Sequence, residues 1–289
     1  LKSRVVRMII EPQPGIFWLA MEDGGINVYD SRTGVVTRKT DIQGLGTNVH
    51  SLYYDRRKNE VWIGTRFNGL IRYSLSTGQQ HRYYLTHGLE AEGIFYIAQQ
   101  RNGRIWVATM RGLRYYDEAN DRFLSVNDRT LRDEYCYTLY VDRNDNLWVG
   151  TTGSGIFCIN GRTGRINHIR ACQETGLKDH YIICIYQDVN GRMWFGTNNY
   201  GLQYLDAKTG RICEPAGEPL LANSTICSIN EDWAHHLWIS TSQGLFRYDI
   251  RSGNFIRYSS ANGLPVNQFN FSSSLRAANG TMLFGTIDG

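Results

Sequence analysis

Seven histidines, at positions 50, 81, 87, 168, 180, 235 and 236, are the side chains suited to proton transfer near neutral pH. Six cysteines, Cys136, Cys158, Cys172, Cys184, Cys213 and Cys227, are the possible nucleophiles and soft-metal ligands. Neither set is grouped for that work. No CxxC pair or Cys/His cluster has zinc spacing, and GxSxG, HExxH and GxxxxGK[ST] are absent. Gly150 to Gly155 is glycine-rich, but neither the Lys nor the helix of a phosphate cradle follows it. Asp142 to Asn146 echoes the start of a calcium loop but lacks Gly at its sixth position and Glu at its twelfth, so it reads as a hairpin turn. No cofactor, no metal and no catalytic role are expected of this chain.

Recognition chemistry is better represented. Aromatic residues make up 12% of the chain, 18 of them tyrosine. Asn48, His50, Phe95, Tyr96, Tyr135, Tyr137, His180, Tyr181, Asn267 and Phe269 fall at the starts of alternating apolar segments. Arg66, Asn68, Arg111, Asn198, Asn199, Tyr200 and Gln243 fall in short loops between two sharp turns, where a side chain has no core to serve. Rings with amides and Arg in a concave site suit a sugar: rings cover C–H faces, while Asn and Arg hold hydroxyls or acidic groups. Against this, half the alternating residues at a strand start point into packing. The net charge of +4 is spread without basic runs, so a nucleic-acid partner is not indicated.

A repeat must position these residues. Trp18, Trp62, Trp106, Trp148, Trp194 and Trp238 recur every 42 to 46 residues, with Leu283 in the same place 45 residues further on. The phrase around them is VWIGTRFNGLIRY, IWVATMRGLRYYD, LWVGTTGSGIFCI, MWFGTNNYGLQYLD or LWISTSQGLFRYD, with a degenerate first copy and a last copy cut at Gly289. Each unit reads as four short strands joined by Asp-, Asn- and Gly-rich turns. A period near 44 residues with four strands per unit predicts an all-β fold, a seven-bladed β-propeller of four-stranded antiparallel blades with its last blade incomplete. The expected blades are approximately 4–43, 44–88, 89–131, 132–177, 178–222 and 223–266, with 267–289 partial, forming a single domain. The first strand is expected over Arg4 to Ile10. The six tryptophans are expected to fill the gaps between blades, and the small residue two positions later to admit a neighbour's side chain. The cysteines are expected to be free buried hydrophobes, with their even count leaving room for a disulfide. In propellers the blade-to-blade loops and the second-to-third-strand loops share one face, where ligands bind. The Gly-Leu linkers GLGTNVHS, GLEAEGIFY, GLKDHYI and GLPVNQFN mark that face here.

LWxGT followed by GLxxYD resembles the two-component regulator propeller repeat, over all seven copies. GLPVNQFNFSSSLRAANGTMLFGTIDG (263–289) looks like the last blade of such sensors, just before a three-tyrosine immunoglobulin-like domain. The resemblance implies the periplasmic sensor region of a hybrid histidine kinase of the Bacteroidetes type, responding to a glycan and governing glycan-use genes. It implies a second propeller, the immunoglobulin-like domain and a homodimeric full-length form as partners, with the membrane reached through a segment outside this chain. A propeller enzyme of lyase type, using His50 or His180 as base, and a purely structural spacer or dimerisation surface are the competing expectations.

Overall fold

The computed structural model describes residues 5–89, 93–216 and 221–287. Six sheets of four strands follow one another, each a meander in chain order. They are β1–β4 (Val6–Gln13, Ile16–Met21, Gly25–Asp30, Val35–Arg38), β5–β8 (Val49–Asp55, Glu60–Thr65, Leu70–Ser74, Gln80–Tyr83) and β9–β12 (Ile94–Gln99, Ile105–Thr109, Gly112–Asp117, Arg122–Ser125). Then come β13–β16 (Cys136–Val141, Leu147–Thr151, Ile156–Ile159, Ile166–Ile169), β17–β20 (Ile182–Gln187, Met193–Thr197, Leu202–Leu205, Ile212–Cys213) and β21–β24 (Ile226–Glu231, His236–Thr241, Gly244–Asp249, Phe255–Tyr258). The seventh repeat makes only an antiparallel hairpin, β25 (Phe269–Arg276) and β26 (Met282–Thr286). The seven-bladed expectation is therefore corrected to six blades and a hairpin. Three residues follow Thr286 in the sequence, whereas two further strands need about five residues each.

The first strand begins at Val6, and Arg4, residues 90–92 of the second linker and Gly289 lie outside the described residues. Among the described residues there is no α-helix, only two 3₁₀ turns, Leu85–His87 and Ser260–Asn262. Among the described residues no helix is long and apolar enough to cross a membrane. The chain divides into two compact units: residues 1–137 with 277–279 and 289, and residues 138–276 with 280–288.

In both units the repeated Trp packs on the blade that follows it. In the first, the Trp62 ring lies 5.4 Å from Tyr116 and 6.3 Å from Phe123. In the second, Trp148 meets Phe195 at 5.7 Å and Trp194 meets Tyr248 at 5.5 Å. The small residue has the expected purpose. A Cβ on Gly64 would lie 2.7 Å from Ile94 of the next blade, one on Gly150 2.9 Å from Ile182, and one on Gly196 2.7 Å from Ile226. Turn aspartates lock the indoles, as Trp148, Trp194 and Trp238 donate to Asp142, Asp188 and Asp232 at 2.8 to 2.9 Å. Trp238 alone of the six is half-buried, because its next sheet is the hairpin, which offers Phe284 at 6.5 Å but no third-strand Tyr. Cys136, Cys184 and Cys227 are buried and free, Cys158 and Cys213 half-buried, and Cys172 exposed.

Candidate functional site

The first strands of the blades share a defect that aims side chains out of the ladder. In the first unit the register slips between Val6 and Met8, between Val49 and Ser51, and between Ile94 and Tyr96. A bulge of this kind leaves one residue unpaired and re-aims its side chain. Those residues are Arg7, His50 and Phe95. The second unit repeats the slip at Ile183 and Cys227, which are apolar. A further slip in the second unit, between Phe269 and Ser274 of the hairpin, spans Asn270, Phe271, Ser272 and Ser273.

In the first unit, the His50 ring meets the edge of Phe95 at 5.0 Å, and Phe95 lies 4.9 Å from Tyr135 and 5.8 Å from Tyr137, nearly parallel to the latter. These rings form an aromatic shelf. His50 is 9% exposed, and its Nε2 has no hydrogen-bond partner among the described residues. Burial, followed by the charges of Arg7 and Arg66, pulls its pKa from 6.5 down to about 4, so the ring is neutral at pH 7. Asn48, just before β5, donates from Nδ2 to Asp23 at 3.2 Å, while its buried Oδ1 has no partner among the described residues. Its carbonyl accepts the Arg66 N–H at 3.1 Å, which ties the β6–β7 loop to the start of β5. The Arg66 guanidinium lies 5.3 Å over the Phe67 ring, which is 66% exposed. Arg7 pairs with Glu22 at 2.8 Å and leaves its buried Nε unpartnered. Buried polar atoms are seldom left so. His50 and the rings of Phe95, Tyr135 and Tyr137 thus form one cluster, with Arg66 close enough to His50 to lower its pKa and Asn48 two residues before it.

The depressed pKa has a measurable consequence. The unfolded chain takes up the His50 proton near pH 6.5 and the folded chain only near pH 4. Stability from this group is complete above pH 6.5 and is lost as the pH falls towards 4, about 3 kcal/mol in all. Urea unfolding at pH 7 and pH 4.5 should show a steeper loss for the parent chain than for His50→Asn.

The second unit gathers another group of expected residues. The Asp179 carboxylate, 8% exposed, accepts the Tyr181 N–H at 3.0 Å and the Asn199 N–H at 2.9 Å. Asn198 donates its N–H to the Tyr181 carbonyl at 3.1 Å and accepts Thr225 Oγ1 at 2.6 Å. Asn198, Asn199, Tyr200, His180 and Tyr181 therefore share one corner of the second unit, with His180 and Tyr200 exposed. The remaining expected residues have other occupations. Asn68 closes its own loop through Thr65 Oγ1 at 2.8 Å. Asn267 holds the 260–262 turn through Ser260 N–H at 2.7 Å and Oγ at 3.1 Å. Tyr96 packs into the core around Trp18 and Leu52, and Arg111 is exposed in the β10–β11 loop, its N–H on Thr109 Oγ1.

Arg7, Asp23 and Asp179 were not among the expected residues. Arg7 carried a signal, since it follows the first apolar residue of its strand as His50, Phe95 and Tyr137 do. Asp179 carried none.

Residues 130–153 and 176–199 match the family model described as two component regulator propeller. Two segments of the chain thus match the two-component regulator propeller repeat. The matched segments span β13–β14 and β17–β18, so the family phrase covers a first strand, its turn and the Trp strand. The chain is 26% identical over 252 residues to histidine kinase P4 of Formosa agariphila, covering 81% of this chain and 15% of that protein. The extracellular domain of the putative hybrid two component system BT3049 from B. thetaiotaomicron superposes with a TM-score of 0.80 at 23% identity, over 100% of this chain and 39% of that one. A streptogramin B lyase superposes with a TM-score of 0.76 at 15% identity, over 100% of this chain and 92% of the lyase. The structural likenesses show a β-propeller fold. The chain thus spans well under half the length of the kinase and of the extracellular domain.

Proposed function

We propose that this chain is a ligand-sensing propeller of a two-component hybrid sensor kinase, lying on the periplasmic side of the membrane. It binds an oligosaccharide on the shelf of Phe95, Tyr135 and Tyr137. The observation that supports this is the buried, unpartnered Nε2 of His50, whose ring packs against Phe95, with a second unpartnered buried atom, Asn48 Oδ1, two residues before it. A neutral imidazole and an amide oxygen exchange hydrogen bonds with hydroxyls, and rings cover the apolar face of a sugar. Ligand then favours one arrangement of the neighbouring domains, a second propeller and an immunoglobulin-like domain in a dimeric receptor, and that preference is the signal.

Resemblance to a lyase raises an enzymatic reading. A base with a pKa near 4 is weak at neutral pH, so His50 favours recognition over proton abstraction.

Titration of the chain with a panel of oligosaccharides, followed by calorimetry, tests the reading. At least one should bind saturably, and Phe95→Ala should weaken it about tenfold through lost ring contact. A spacer would bind none of the panel, while a receptor containing the neighbouring domains still would.

A further inference from the structure

A second site, separate from the shelf, lies within the second unit. A cavity of about 400 Å³ opens between the β17–β18 turn and the β19–β20 turn of the fifth blade. Arg192, Met193, Tyr204, Leu205, Asp206 and Lys208 are among its lining residues. Arg192 lies flat on the aromatic wall, its guanidinium carbon 4.5 Å over the Tyr204 ring and 5.5 Å over Trp194. Stacking occupies the face of a guanidinium and leaves its N–H edges free to hold an oxyanion in the plane. No described residue accepts a hydrogen bond from the Arg192 or Lys208 side chain, and neither closes an ion pair. The carboxylate beside them, Asp206, is taken up by its own turn, accepting the Lys208 N–H at 2.8 Å; backbone N–H groups there hold its pKa below the usual range.

A stacked Arg by itself belongs to the repeat, because Arg104 in the third blade lies 5.0 Å over Tyr115 in the same way. The turn position of the second cation is also basic in the first, fourth and sixth blades, at Arg32, Arg162 and Arg251. Among the described residues only the fifth blade combines it with a stacked Arg leading into the second strand. Where the fifth blade has Ala207 and Lys208, the third has Glu118 and Ala119, and Glu118 is taken by Lys58 at 2.6 Å. The fifth blade therefore brings a stacked Arg and a second cation together beside an aromatic wall over a cavity. Asp206 is the one carboxylate among the lining residues, and Lys208 acts on it electrostatically.

We infer that this cavity binds a small ligand carrying an oxyanion, a carboxylate, sulfate or phosphate, next to a flat or apolar face. The oxyanion sits between the Arg192 edge and Lys208, and the flat face lies along Tyr204, Met193 and Leu205.

Calorimetric titrations of the full 289-residue chain with benzoate, acetate, sulfate, phosphate and neutral benzamide test it. Benzoate should bind saturably and more tightly than acetate, and benzamide should not bind. Saturation by sulfate or phosphate in place of benzoate would identify an inorganic ion as occupant and keep the cationic site. Lys208→Gln, in an exposed turn, and Arg192→Gln should each weaken binding by about tenfold or more. Arg192→Lys, which keeps charge but loses the planar fork, should fall between. Should Arg192→Gln fail to fold, Lys208→Gln carries the test alone. No saturable binding of any anion, equal binding by the parent and Lys208→Gln, or loss of binding in Arg66→Gln would each overturn the assignment.

Discussion

Trp62→Ala should destabilise the chain by about 3–5 kcal/mol, the cost of deleting a large ring from a closed core. The ring is 1% exposed and wedged between Tyr83 of its own blade and Tyr116 and Phe123 of the next. Such a loss is a large fraction of the 5–15 kcal/mol typical of folded domains. The indole N–H of Trp62 has no partner among the described residues, so Trp62→Phe should cost much less than Trp62→Ala. Trp148→Phe, by contrast, strips Asp142 of a donor at 2.9 Å. Trp238→Ala should cost least of the alanine variants, because that ring is already half-exposed. Urea midpoints for these variants check the ranking, and a Trp238 loss equal to that of Trp62 would contradict it.

Gly201→Ala should cost about 2–5 kcal/mol, from left-handed strain of about 1–2 and overpacking of about 1–3. Gly201 has φ +66°, and an added Cβ would lie 1.7 Å from the Leu221 carbonyl oxygen, which is backbone and cannot swing aside. Gly210 has φ +70° but open space around it. Gly210→Ala should therefore pay only the strain, about 1 kcal/mol. The difference between the two variants measures the clash alone. Because Gly201 ends the loop carrying Asn198, Asn199 and Tyr200, the first variant should also move the Tyr200 ring, visible in tyrosine NMR resonances.

These contrasts show what a sequence can carry. The Trp spacing and the glycine two residues later were legible because a fixed packing problem recurs every blade and admits few residue types. The positive-φ turn glycines were legible for the same reason. The bulges were not, because a bulge is a slip in hydrogen-bond register and imposes no residue type: Arg7, His50, Phe95, Ile183 and Cys227 share a place and nothing else. So His50, Tyr135 and Tyr137 could be named one by one, but not seen as a group around Phe95. Asp179 was hidden because its two backbone contacts come from different loops, 20 residues apart at Asn199. The seven copies were read correctly as repeats, yet the last could make only a hairpin.

The central claim is that the bulged first strands of the first unit build a sugar-binding shelf. A crystal structure of the chain soaked with the tightest-binding oligosaccharide from the titration panel tests it most directly. The account predicts a sugar ring against Phe95 and Tyr135, with hydroxyls within hydrogen-bond distance of His50 Nε2 and Asn48 Oδ1. Ligand bound instead at the Asn198–Tyr200 loop, with those two atoms untouched, would contradict it.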